Sequence, residues 1–177
     1  HDLLKYRELL TARPARTNLP HFLAECGLCT FEFLLDFGSF RDIHRHRNGV
    51  CRMPLLTTRF GFNDWYLEQL PAVLAREART LIREQKTAIA SLKTTSELTQ
   101  YYIAMGFNVS GRVSYGLSAT VYVTELRSGK MVHPTLRRVA HQMDKFLRRK
   151  FPELVLHSDL DLDDWDIRRG KQNIQEK

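Results

Sequence analysis

The chain has 177 residues, 43% of them hydrophobic, which is enough for a real core and in the range of a single domain over 1–177. Lys+Arg number 27 against 20 Asp+Glu, a net charge of +7 that points to an anionic partner: a phosphate-bearing small molecule, nucleic acid or an acidic surface. No run of about 18 apolar residues occurs, so no membrane-spanning helix is expected, and no signal peptide is visible. The cysteines are Cys26, Cys29 and Cys51, too few for a disulfide framework, which points to a reducing, cytoplasmic setting.

Residues 2–10 and 19–26 read as short helices, the second stopped by Gly27. From Thr30 the chain begins like a strand, then shifts to a three-to-four spacing at Phe33, Phe37, Phe40 and His44 that predicts an amphipathic helix. On that helix Arg41 and Arg45 lie one turn apart and share a face. Residues 48–64 read as a loop, marked by Asn48-Gly49, Pro54 and Gly61. A long helix is predicted from Asp64 to Lys93, its apolar stripe running through Tyr66, Leu70, Val73, Leu74, Leu81, Ile82, Ile89 and Leu92. Pro71 marks a kink in it or its true start.

Residues 95–107 predict another helix, capped by Thr95 or Ser96. "NVSGRVSYGLS" alternates and reads as a strand. "ATVYVTEL" is open: its β-branched residues favour a strand, whereas a Ser118 cap would start a helix. "HPTLRRVAHQMDKFLRRKFP" is the clearest helix, with Pro134 in its first turn and Arg148, Arg149 and Lys150 at its C-terminal end. The tail, 157–177, is charged and reads as surface-bound or frayed. Its Asp159, Asp161 and Asp163 imitate a calcium loop, but Asp164 and Gly170 stand where that loop needs Gly and Glu. The expected architecture is α+β, a small twisted sheet flanked by several helices.

Cys26-Gly-Leu-Cys29 has CxxC spacing, but no second tight ligand pair accompanies it, so no metal is assigned. A site drawing on His44, His46, Cys51 and His133 is disfavoured on a helix, where His44 and His46 point about 200° apart, and would need the segment to be a strand or loop. The residual oddity is Arg41, Arg45, His46, Arg47, Arg52 and Arg59, a basic set without Lys between positions 41 and 59. Guanidinium groups hold phosphate bidentately and keep their charge when partly buried. The pattern therefore favours a shaped anion pocket over a nonspecific electrostatic film or a nucleic-acid surface, which would interleave exposed aromatic residues.

"RDIHRHR" followed by "TTRF" resembles the signature RHRxxSxNExSxRY of the flavin-dependent thymidylate synthases, which carry a further Arg shortly before it. Arg41, Arg45, His46, Arg47 and Arg59 occupy the matching places, with Phe60 for the final Tyr. "GLCTFEF" is similar to the family's Gly-His-x-Ser/Thr-Pro-Phe-Glu-His segment, keeping Thr30, Phe31 and Glu32. The segment from "ATVYVTELRSG" to "FPEL" is similar to its late Arg turn and following helix, with Arg127 in the place of the Arg set over the nucleotide. The likeness spans 19–154 and makes "ATVYVTEL" a helix. It departs between Arg47 and Arg59, where "NGVCRMPLLTT" lacks the Asn-Glu pair and the first Ser, and the second Ser falls on Thr57 if two residues are inserted and on Leu55 if they are not. Gly116, Ser118, His133 and Thr135 also replace family residues.

The resemblance implies reductive methylation of dUMP, with reduced FAD, methylenetetrahydrofolate and NADPH as the further participants. It implies Arg45, His46 and Arg47 at the flavin and phosphate, and Arg41, Thr57, Arg59 and Arg127 on the nucleotide, with Arg127 as the catalytic residue at the uracil ring. It also implies a homotetramer. The alternative is a catalytically degenerate homologous domain that serves oligomerisation or nucleotide binding. The start on His1 and the ending "RRGKQNIQEK" suit the C-terminal half of a longer, duplicated protein.

Overall fold

A computed structural model describes residues 3–164 of the chain. It is α+β: a three-stranded antiparallel sheet in the order β1-β3-β2 and several helices. The strands are β1 (Leu28–Asp36), β2 (Gly49–Arg52) and β3 (Asn108–Gly116); the helices are α1 (Arg7–Thr11), α2 (Phe37–Ile43), α3 (Asp64–Glu68), α4 (Ala72–Ala90), α5 (Ser96–Thr99), α6 (Leu117–Ser128) and α7 (Pro134–Lys150). The chain divides into two compact units. Unit one holds the residues up to Phe31, His46–Val50 and those from Ser114 on, and unit two holds Glu32–Arg45 and Cys51–Val113.

Unit one is organised by α6 and α7. Helix α6 buries Leu117, Val121 and Thr124, and the Thr124 hydroxyl, like that of Thr120, donates back to a carbonyl one turn earlier. Leu117 and Val121 join Leu10, Leu23, Cys29, Leu147 and Leu156 in one apolar cluster. The rings of Phe31 and Phe146 meet edge to face with centroids 5.2 Å apart. The 3-10 turn His21–Cys26 ends on Gly27 at φ 119, a backbone state that an L side chain rarely adopts. Arg13 is nearly buried, paired with Glu125 and donating to the Val155 carbonyl at 3.0 Å.

Unit two is built on Asp36, which is fully buried at the end of β1. Its carboxylate accepts from Ser39 N at 2.8 Å, capping α2, and from the Tyr66 hydroxyl at 3.0 Å. Around it Leu35, Phe40, Ile43, Leu56, Trp65, Phe107 and Val109 form the core. Burial, followed by the charge and hydrogen bond of Asp36, pushes the Tyr66 hydroxyl well above its usual range.

Several expectations are corrected. The strand β1 persists to Asp36, so Phe33 lies on it and only Phe37–Ile43 is helical. Asp36 sets that boundary, because a capping carboxylate must precede the helix. Arg45 consequently falls beyond the helix that carries Arg41. The expected loop contains β2, and the long helix is two, with Pro71 at the N-cap of α4. Within 95–107 the helical stretch is short, α5 capped by Thr95 and followed by a 3-10 turn over Gln100–Tyr102. The apolar stripe of α4 is largely open, with Val73 65%, Leu74 49% and Leu81 66% exposed and Ala75 its only buried residue. "ATVYVTEL" is helical, capped at Gly116 and not at Ser118, whose hydroxyl donates instead to the Pro20 carbonyl at 2.7 Å. The start of the first predicted helix and the tail from 165 to 177 lie outside the described residues.

Two outcomes test this account. Glu125→Ala strips the partner from the buried Arg13 guanidinium and is expected to cost about 3–5 kcal/mol in urea unfolding, whereas the double replacement Arg13→Met, Glu125→Leu recovers most of that loss. Because the folded state raises the Tyr66 pKa, the stability it contributes is complete below about pH 10, the unfolded value, and is lost as pH rises toward the folded value. Tyr66→Phe is expected to flatten that alkaline loss and to cost about 1–3 kcal/mol at neutral pH, since buried Asp36 loses a donor.

Candidate functional site

The bond that links two distant predicted residues lies in unit one, where Arg127 Nε donates to His46 Nε2 at 2.8 Å. Arg127 is in the last turn of α6, half-buried, and reaches the imidazole from a helix whose position is fixed by Val121, Thr124 and Ser128. His46 is half-buried too, and its ring meets that of Tyr122 edge to face at 5.9 Å between centroids. Tyr122 and Arg127, both on α6, thus hold the same imidazole. A guanidinium nitrogen can only donate, so His46 Nε2 must be the acceptor and Nδ1 carries the ring proton. The imidazole in this bond is neutral.

His46 gets there through the backbone of "HRNG". Gly49 opens β2, and a Cβ on it would collide with both the Ser114 carbonyl oxygen and the Tyr115 ring. Only glycine permits that approach of His46–Val50 to the end of β3. Near the same end of β3, the Ser114 and Thr30 hydroxyls bond at 2.8 Å. Arg47 is exposed in this segment. At the start of α7, His133 Nδ1 and Thr135 Oγ1 bond at 2.8 Å.

The other predicted residues lie in unit two, exposed. Arg41, on α2, points one guanidinium nitrogen at Met105 Sδ, 3.7 Å away. Arg45 follows that helix and its Nε lies 3.3 Å from Asp42 Oδ1, an exposed pair of little energetic weight. Thr57 Oγ1 accepts from Arg59 N at 3.0 Å, which closes a small turn and leaves the hydroxyl proton for another acceptor. Arg112 and Glu32 approach to 3.7 Å on the exposed faces of β3 and β1. The structure therefore joins His46 to Arg127, and within unit two joins Thr57 to Arg59 through the backbone.

Cysteine chemistry finds no support. Burial pushes the Cys29 thiol up, with a Thr120 hydrogen bond acting the other way, and burial pushes up Cys51 as well. Both are thiols at neutral pH and poor nucleophiles. Among the described residues no group of three or more His, Cys, Asp and Glu could hold a metal ion. Tyr122 escapes sequence reasoning because "ATVYVTEL" reads as a strand as readily as a helix, and only the helix sets Tyr122 and Arg127 against one ring.

No family model matches the chain. It is 30% identical over 169 residues to a UPF0159 protein of Chlamydia pneumoniae, covering 91% of this chain and 32% of that protein. It is 27% identical over 146 residues to a UPF0159 protein of Chlamydia muridarum, covering 78% of this chain and 27% of the relative. A UPF0159 protein of Thermoplasma acidophilum is 26% identical over 157 residues, 87% of this chain and 30% of its own length. The chain thus spans about a third of the length of the curated relatives it matches.

Proposed function

We propose that the chain is a flavin-dependent thymidylate synthase-like domain that takes part in the reductive methylation of dUMP to dTMP. The observation that carries this reading is the Arg127–His46 bond. The resemblance assigns these residues to one site from two separate motifs, 81 positions apart, and they meet at 2.8 Å. Arg127 is held by a neutral ring at Nε, so that bond orients its charge without cancelling it. In this reading the guanidinium faces the uracil ring and stabilises negative charge as it develops there. Arg41 and Arg59 bind nucleotide phosphate, with the Thr57 hydroxyl proton as a further donor.

The resemblance also assigns Arg45, His46 and Arg47 to a flavin dinucleotide. Arg45 and Arg47 present exposed guanidinium groups on either side of His46 in sequence, the chemistry that a diphosphate requires. Bound in reduced form, FAD would supply the hydride, and methylenetetrahydrofolate the one-carbon unit, with NADPH as the source of electrons. The chain's own work is positioning and electrostatics, which accords with thiols that stay protonated. A homotetramer is part of the proposal, and the open stripe of Val73, Leu74 and Leu81 on α4 is a surface suited to burial between copies. The free cysteines accord with a reducing, cytoplasmic compartment. No helix among the described residues is long and apolar enough to cross a membrane.

A second reading, a degenerate domain that binds nucleotide without turnover, is favoured by the segment between Arg47 and Arg59, which lacks the Asn-Glu pair and the first Ser. The purified chain is expected to show flavin absorbance, to bind dUMP and to form dTMP when given NADPH and methylenetetrahydrofolate. Arg127→Ala should weaken dUMP binding by about tenfold to a hundredfold, the loss of a charged hydrogen bond. Binding of dUMP without dTMP formation selects the degenerate domain. Absence of both flavin and dUMP binding overturns both readings.

A further inference from the structure

The last turn of α6, which carries Arg127, does not end in the usual way. Helix C-termini expose unsatisfied carbonyls and commonly close on a left-handed glycine. Here Gly129 follows α6 but is extended, at φ −63 and ψ 151. The closing interactions come from elsewhere in the chain. Arg137 on α7, with 0% exposure, donates Nε to the Ser128 carbonyl at 2.8 Å. Ser128 Oγ donates to the Glu125 carbonyl at 2.9 Å and accepts from Asp159 N at 3.0 Å.

The remaining arms of Arg137 grip the irregular segment 157–164. They donate to the Asp161 carbonyl and, at 3.4 Å, to the Asp164 carbonyl, and one lies 3.4 Å from the Asp159 carboxylate. His141, one turn along α7, shares a 2.9 Å bond with the Asp159 carbonyl, which its Nε2–H must donate. Lys130 lies 3.8 Å from the Asp164 carboxylate. One buried guanidinium thus ties together the end of α6, α7 and the segment 157–164. The ion pair itself adds little, because the Asp159 carboxylate is partly solvent-exposed; the firm contacts are those to carbonyls. What the fixed guanidinium fork supplies is orientation.

We infer that Arg137 is a positioning residue for Arg127: by clamping the Ser128 carbonyl it sets the last turn of α6, and with it the Arg127–His46 bond. The effect of Arg137 on nucleotide binding rests on the proposed function, whereas its effect on the His46 bond does not. Displacing a binding group by about 1 Å can cost a hundredfold in activity, so a small relaxation of this turn is enough to matter.

The test reads His46 directly, by 15N NMR of histidine-labelled chain, alongside dUMP titration. Wild type should show His46 protonated at Nδ1 and accepting at Nε2. Arg137→Met, studied where circular dichroism shows it folded, should populate the Nε2-protonated tautomer and bind dUMP about tenfold more weakly. Arg137→Lys, which can still reach the Ser128 carbonyl, should recover part of both. Leu147→Ala, destabilising but in the apolar cluster, should change neither in its folded state. If Arg137→Met does not fold, Arg137→Gln, too short to hold the Ser128 carbonyl and the 157–164 carbonyls together, should move the His46 signal the same way. A folded Arg137→Met, or a folded Arg137→Gln, with the wild-type His46 spectrum overturns the inference. Failure of wild type to bind dUMP overturns the proposed function and leaves the His46 readout to decide the role of Arg137.

Discussion

Unit one depends on the satisfaction of carbonyls that no helix or strand satisfies. The segment from Phe151 to Asp164 has no regular structure, yet Leu154 and Leu156 are buried in the core. A chain that buries side chains without a ladder or helix must find donors for its carbonyls. Arg13 provides one for Val155, and Arg137 provides them for Asp161 and Asp164. Both also bond to α6 itself, through Glu125 and Ser128. Loss of either would free a length of backbone and, at the same time, one turn of the helix that bears Arg127.

Where one face of an element is buried and the other wet, the sequence read truly. In β3, Val109, Gly111, Val113 and Tyr115 are buried while Arg112 is exposed and Ser110 and Ser114 are intermediate, and this period of two was visible in "NVSGRVSYG". Helix α7 begins on Pro134 and ends in three basic residues, as its pattern implied. Reading failed where a capping contact decides a boundary. The apolar run after Thr30 carries both strand and helix spacing, and the buried Asp36 alone divides them. At the candidate site, the resemblance singled out Arg127 and His46, which meet at 2.8 Å. Arg137 was not: on a helical pattern it is one more cation beside Arg138, and the acidic residues of the tail look solvated.

Helix α4 poses a different problem. Of its 19 residues only Ala75 is buried, so packing within the chain contributes little to it. Its composition contributes more, being rich in Ala, Arg, Leu and Glu, all good helix formers. Pro71 sits at its N-cap, and its fixed φ does not disturb the helix there. Isolated helices become tenable at about 12–15 residues, and α4 exceeds that. The helix can therefore form on local terms while presenting Val73, Leu74 and Leu81 outward. Burying each of these would release about 1.5–3 kcal/mol, a strong reason for a surface of this kind to find a cover.

The acceptor at each arginine decides whether a bond neutralises its charge or only directs it. Arg13 and Arg148 face the carboxylates of Glu125 and Asp144. An anion approaching either of them must compete with a negative charge already in place. At Arg127 Nε the acceptor is an uncharged imidazole, so this bond fixes the direction of the side chain without opposing its field. Tyr122 adds a ring against His46 and no charge. The neutrality of His46 is itself enforced by the contact, because a protonated Nε2 would point a hydrogen at the guanidinium. The bond at Nε therefore aims the arginine and does not itself neutralise it.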